Sequence, residues 1–201
     1  MSQRFGNMKI GGFQKFSLID YPGKTASVIF TQGCNMFCPY CHNPQLVYPE
    51  QFGAALNEED IFAFLKKRKG LIDGVVITGG EPTVHKDLPL FAGKIKSLGY
   101  SLKLDTNGTD PAALKLLIGE KLIDFIAMDI KAPLHKYFLF YKGDINRIKN
   151  SVSLIRGSGI DHLFRTTYDR GILDENDILA VKELVSPSLH ISQECIKLFK
   201  H

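Results

Sequence analysis

Little in the 201-residue sequence departs from ordinary globular composition, and each shortage excludes something. Its four cysteines are too few and too unevenly placed for a disulfide framework. No window approaches the roughly 18–20 consecutive apolar residues needed to cross a bilayer. The stretch Met1-Ser2-Gln3-Arg4-Phe5-Gly6-Asn7 has no apolar run after its basic residue, so it does not read as a secretory signal. The basic excess is only +4, from 25 basic and 21 acidic residues, too small to argue for nucleic acid. No internal repeat, low-complexity tract or linker interrupts the chain, so a single domain over residues 1–201 is expected. With 44% hydrophobic and 23% charged residues, a chain this long buries a core without disulfide or metal staples. The expected setting is cytoplasmic, with neither membrane nor nucleic acid as partner. There thiols stay reduced, and clustered cysteines are more often metal ligands or redox catalysts than disulfides.

What the chain does have is alternation. Six β-branched or apolar runs are strand candidates: Thr25–Gln32, Gly74–Thr78, Ser101–Thr106, Phe125–Ile130, His162–Thr167 and Leu189–Gln193. Between them lie five helical patterns, Glu58–Lys69, Leu88–Leu98, Pro111–Leu122, Ile145–Arg156 and Glu175–Val185. Asn57, Asp110 and Asp174 stand where N-caps belong, and Gly70 and Gly157-Ser158-Gly159 where helices stop. Such alternation calls for parallel strands joined by right-handed crossovers. Several runs carry one polar face, for example Lys103 and Asp105 against Leu102 and Leu104. A doubly wound sheet, covered on both sides, would read as apolar throughout. The recurring polar face instead suggests strands curved around a lumen, and six units are fewer than a full barrel's eight. The expected fold is α/β, an open partial (β/α)6 TIM-type barrel over residues 25–199, with residues 1–24 as a lead-in.

Polar residues gather at the ends of these runs. Cys34 follows the first, Gly79-Gly80-Glu81 the second, and Asp105 and Asn107 close the third. Asp129 and Lys131 end the fourth, and Arg165 and Thr167 the fifth. In parallel β/α folds the carboxyl ends of the strands are where sites are built. An active site on one rim is expected.

Cys34, Cys38 and Cys41 fall within eight residues, and Cys195 stands alone. Cys38-Pro39-Tyr40-Cys41 matches a redox dithiol, yet that fold is about half this length and leaves Cys34 without a role. With His42 the same run matches a c-type haem attachment pattern, which needs export. A zinc site from Cys34, Cys38, Cys41 and His42 would crowd four ligands into nine residues. Buried thiols with no ligand fit poorly with the interleaved Asn, Pro and His. Three soft thiolates on one loop suit an iron–sulfur cluster with one iron left open. Cys195 shares a strand face with Ile191 and reads as a buried apolar thiol.

Cys-x3-Cys-x2-Cys with Tyr40 before the last cysteine resembles the signature of the radical S-adenosylmethionine (SAM) superfamily. Gly79-Gly80-Glu81-Pro82 resembles its glycine-rich SAM motif. Ser17-Leu18-Ile19-Asp20-Tyr21-Pro22-Gly23, Cys41-His42-Asn43-Pro44, Leu104-Asp105-Thr106-Asn107-Gly108 and Met128-Asp129-Ile130-Lys131 resemble motifs of the glycyl-radical-enzyme activases. With Phe164-Arg165-Thr166-Thr167, the pattern from about Ile10 to Phe199 is most similar to the activating proteins of anaerobic (class III) ribonucleoside-triphosphate reductases.

The resemblance implies a [4Fe–4S] cluster held by Cys34, Cys38 and Cys41, with SAM on the fourth iron. Reductive cleavage of SAM would give a 5′-deoxyadenosyl radical that abstracts hydrogen from a backbone glycine of a large partner enzyme. It also implies a low-potential electron donor such as flavodoxin or ferredoxin, and no catalytic residue beyond cluster and SAM. On residue chemistry, Gly79 and Gly80 expose backbone to the methionine end, Asp105 suits its ammonium, Lys131 its carboxylate, and Tyr40 the adenine. His42, Glu81, Asn107, Asp129, Arg165 and Thr167 complete the expected cofactor shell. Simpler readings stand beside these: Asp105 and Asn107 as turn caps, Asp129 with Lys131 as an ion pair, Glu81 as a brace. An activase of the pyruvate formate-lyase type, a radical SAM enzyme acting on a small molecule, and a zinc or redox-binding module remain rival readings.

Overall fold

β-branched runs bounded by turns commit to a sheet, and in the computed structural model, which describes residues 8–195, that sheet has seven strands in chain order. They are β1 (Ile10–Tyr21), β2 (Lys24–Thr31), β3 (Gly74–Gly79), β4 (Ser101–Thr106), β5 (Phe125–Asp129), β6 (Asp161–Tyr168) and β7 (His190–Glu194). Neighbours from β2 to β7 pair in parallel. The crossovers carry α1 (Glu58–Lys67), α2 (Leu88–Ser97), α3 (Pro111–Gly119), α4 (Asn146–Gly157) and α5 (Glu175–Val185). The expected caps form: the Asn57 side chain accepts from the Glu59 amide, and Asp110 from those of Ala112 and Ala113. Asp174 and Asp177 make a reciprocal capping box on α5. The sheet ends at β1 on one side and β7 on the other, so the barrel is open and partial, as expected.

The lead-in differs from expectation. Ile10–Tyr21 is a twelve-residue strand, antiparallel to β2. Its register shifts between Ile10 and Gly12, Gln14 and Ser17, and Ser17 and Tyr21. Each bulge resets the period-two pattern by which a strand is read, so the alternation is lost in the sequence. Residues 196–199, assigned to the barrel, lie outside the described residues.

The two faces of the sheet have different chemistry. Ile29, Ile77, Leu102, Leu104, Ile126, Met128 and Phe164 turn outward into the main core beneath the helices. The lumen face begins apolar, with Tyr21, Ala26, Val28 and Val76 in a second cluster against Phe30 and Phe125. From Lys103 in the middle of β4 toward the carboxyl ends it becomes charged. Cys195 is a correction: it lies just past β7 and is partly exposed, not buried. Strand β7 has a neighbour on one side only, and Ile191 is itself 45% exposed. No helix among the described residues is long and apolar enough to cross a membrane.

Candidate active site at the carboxyl rim

The loop after β2 carries Cys34, Cys38 and Cys41, all partly buried. Met36, 1% exposed, plugs it into the core, and the Phe37 amide donates to the Phe140 carbonyl at 3.1 Å. Burial pushes the Cys34 thiol up to about 11 and raises Cys38 as well, while the Lys131 ammonium pulls both downward. In the free protein these two are therefore thiols at neutral pH, and metal loading must release their protons.

The glycines of the loop after β3 are required by the chain itself. A Cβ on Gly80 would lie 2.0 Å from the Gly33 carbonyl oxygen. One on Gly79, at φ +116°, would lie 2.3 Å from the Thr31 nitrogen. This close approach lets the Gly80 amide donate to Thr31 O at 2.9 Å and the Glu81 amide to Gly33 O at 2.7 Å. The Glu81 side chain, 1% exposed, then spans to β4. Its Oε1 accepts from the Thr83 amide (3.0 Å), Thr83 Oγ1 (2.6 Å) and Thr106 Oγ1 (2.7 Å), and its Oε2 from the Asn107 amide (2.6 Å). Burial pushes this carboxyl upward against those four donors.

Asn107 closes the turn after β4, its Oδ1 accepting from the Thr109 amide (3.0 Å) and hydroxyl (2.7 Å). Its Nδ2 donates to Asn35 Oδ1 at 2.9 Å and lies 4.0 Å from Cys34 Sγ. Asn35 in turn donates to Thr109 Oγ1 at 2.8 Å. Three rim segments are thereby fixed around Cys34. Asn35 is not among the residues expected at the site, and its one signal in the sequence is an amide inside the cysteine loop.

Across β4, β5 and β6 the lumen face carries alternating charge. Lys103, 2% exposed, binds Asp105 Oδ1. Arg165 reaches Asp105 Oδ2 with Nη2 (3.3 Å) and Asp129 Oδ1 with Nε (2.8 Å). Lys131 Nζ binds Asp129 Oδ2 at 3.0 Å. Burial alone would raise Asp129, but the Lys131 and Arg165 cations overcome it and hold the carboxyl well below the usual range. Asp129 likewise holds Lys131 ionised against burial. Ala127, paired with Asp105 in the ladder, leaves room for Arg165 to cross.

The remaining expected residues sit around this centre. Tyr40 packs edge-on against Phe140 at 5.8 Å, and its hydroxyl is buried without a hydrogen-bond partner. Thr167 lies one turn of the pleat beyond Arg165, paired with Gln193. His42 is exposed. Among the described residues no three His, Cys, Asp or Glu side chains meet as a single metal ion would require. Three thiols on one loop, a buried phenol awaiting a partner and a charged wall facing them fit an iron–sulfur cluster with a zwitterionic ligand.

A profile of the radical SAM superfamily matches residues 28–184. A Methanocaldococcus jannaschii protein provisionally named a glycyl-radical enzyme activating enzyme is 39% identical over 186 residues, covering 88% of this chain and 75% of its own. The 7-carboxy-7-deazaguanine synthase of Aquifex aeolicus is 37% identical over 87 residues, 43% of this chain and 38% of that protein. Among solved structures, Streptococcus suis SuiB bound to S-adenosylmethionine superposes with a TM-score of 0.67 at 17% identity, over 85% of this chain and 40% of that one.

Proposed function

Because this chain belongs to the radical SAM superfamily, and so is an enzyme using a [4Fe–4S] cluster and SAM, we propose that it activates a glycyl radical enzyme, specifically an anaerobic ribonucleoside-triphosphate reductase. The observation that carries the activase reading is the likeness to the archaeal relative, which extends over 88% of the chain. When bound, the cluster held by Cys34, Cys38 and Cys41 together with SAM would supply one-electron chemistry for hydrogen abstraction.

The chain's own residues bind, orient and shield. Cys34, Cys38 and Cys41 hold the cluster on a loop pinned by Met36 and by the Phe37–Phe140 bond. Glu81 and Asn107 fix the strand ends that face it. Asp105, Arg165, Asp129 and Lys131 form the wall that receives the ammonium and carboxylate of SAM. Gly79 and Gly80 bring backbone to the methionine end, Tyr40 packs near the adenine, and His42 and Thr167 line the approach. The partner is a large glycyl radical enzyme, and a flavodoxin or ferredoxin of the same cytoplasm donates the electron.

A second reading, a radical SAM enzyme acting on a small molecule, is favoured by the likeness to the synthase over 43% of the chain. One experiment separates them. The protein is reconstituted anaerobically with iron and sulfide, then incubated with SAM, a reductant and an anaerobic ribonucleoside-triphosphate reductase. A glycyl radical resonance on the reductase is expected. SAM turnover without that resonance overturns the activase assignment.

A further inference from the structure

We propose that Lys103 is a positioning residue that sets the net charge facing the amino-acid end of SAM, and so selects for its carboxylate. This rests on the rim binding SAM and is independent of which partner is activated. Lys103 points into the lumen from the middle of β4, one layer below Asp105, at the level of Val76 and Phe125. Its side chain is 3% exposed, against 17% for Lys131 and 35% for Arg165. It is too deep to touch a ligand on the rim.

Its effect passes through the chain of charges above it. A buried ammonium must be paired, and Asp105 is the carboxylate that pairs it. Neutralised from below, Asp105 withdraws only part of the Arg165 charge, while Asp129 is shared by Arg165 and Lys131. Three cations against two carboxylates leave one positive charge over, and it is expressed at the exposed end by Arg165 and Lys131. Without Lys103 the four remaining charges would sum to zero, and the pull of Arg165 and Lys131 on an anion would be offset by Asp105 and Asp129. An apolar residue at this position would extend the cluster of Val28, Val76 and Phe125, so packing alone does not call for lysine.

The test compares SAM with decarboxylated SAM, which keeps the adenosine, sulfonium and ammonium and lacks only the carboxylate. Equilibrium dissociation constants for both are measured on the cluster-loaded full chain. The wild type is expected to favour SAM strongly. Lys103→Met is expected to shrink that preference on the order of tenfold, the scale of removing one unit charge at an effective dielectric near 20. The double variant Lys103→Met/Asp105→Asn removes one charge of each sign; losing Asp105 weakens both ligands alike, since both carry the ammonium, and the wild-type ratio between them is expected to return. It also serves where the single variant does not fold, because it buries no unpaired charge. Loss of affinity for both ligands alike, with the preference unchanged in Lys103→Met, overturns the proposal. So does a double variant without the preference. A wild type that binds neither ligand would instead refute SAM binding at the rim.

Discussion

Replacing Glu81 with glutamine separates bracing from ligand binding at the loop after β3. The carboxylate accepts four hydrogen bonds, three at Oε1 and one at Oε2. A glutamine keeps its carbonyl at Oε1 and sets an NH2 against the Asn107 amide. One charge-assisted bond is lost, about 1.5–3 kcal/mol, and two donors are left facing each other in a site 1% exposed. Relief of carboxylate desolvation offsets part of this, so a net loss of about 2 kcal/mol is expected. For a chain of this size that lowers the melting temperature by roughly 4–8 °C. The assay is thermal unfolding of the metal-free protein without SAM, where a purely ligand-binding glutamate would contribute nothing. A Glu81→Gln protein that melts within about 1 °C of wild type would refute the reasoning. Thr106→Val, which removes one of the four donors and leaves the carboxylate, should lose about 1 kcal/mol.

Other outcomes follow from the same geometry. Gly80→Ala forces a Cβ against the backbone of Gly33, which cannot rotate away. It should cost about 3 kcal/mol, the upper end for overpacking, and lower the iron retained after reconstitution. Single Cys34→Ala, Cys38→Ala and Cys41→Ala proteins should each fail to form the brown species absorbing at roughly 400 nm, whereas Cys195→Ala should form it normally. His85 Nε2 donates to the Gln32 carbonyl at 2.9 Å, and burial lowers its pKa. A base lowered on folding stabilises the native state fully above its unfolded pKa of about 6.5 and loses that contribution as the pH falls below it. The melting temperature should therefore fall from pH 7 to pH 5 more steeply in wild type than in His85→Gln, and equal slopes would contradict this.

The parallel strands and the helices are legible because their periodicities are unbroken and their caps local. The start of α3 is already written in Asp110 and Pro111. Strand β1 is not legible, since its bulges reset the alternation three times in twelve residues. The rim is legible as a set of strand ends, because topology alone gathers them. Their pairings are not. Asp105 sits two residues from Lys103 and sixty from Arg165, and only the ladder shows that both reach it. The glycine-rich loop shows a subtler gap: its glycines are visible in sequence, but the atoms that demand them, in Thr31 and Gly33, lie nearly fifty residues upstream.

That interlock has a consequence for anyone recombining such domains. Residues 31–34 and 79–81 are one mechanical part made from two distant pieces of chain, joined by the Gly80–Thr31 and Glu81–Gly33 bonds. A chimera that imports the cysteine loop from a homologue while keeping the native loop after β3, or the reverse, joins two surfaces shaped for other mates. Swaps that carry both segments together should keep iron binding, and crossover points between them should be depleted among functional recombinants.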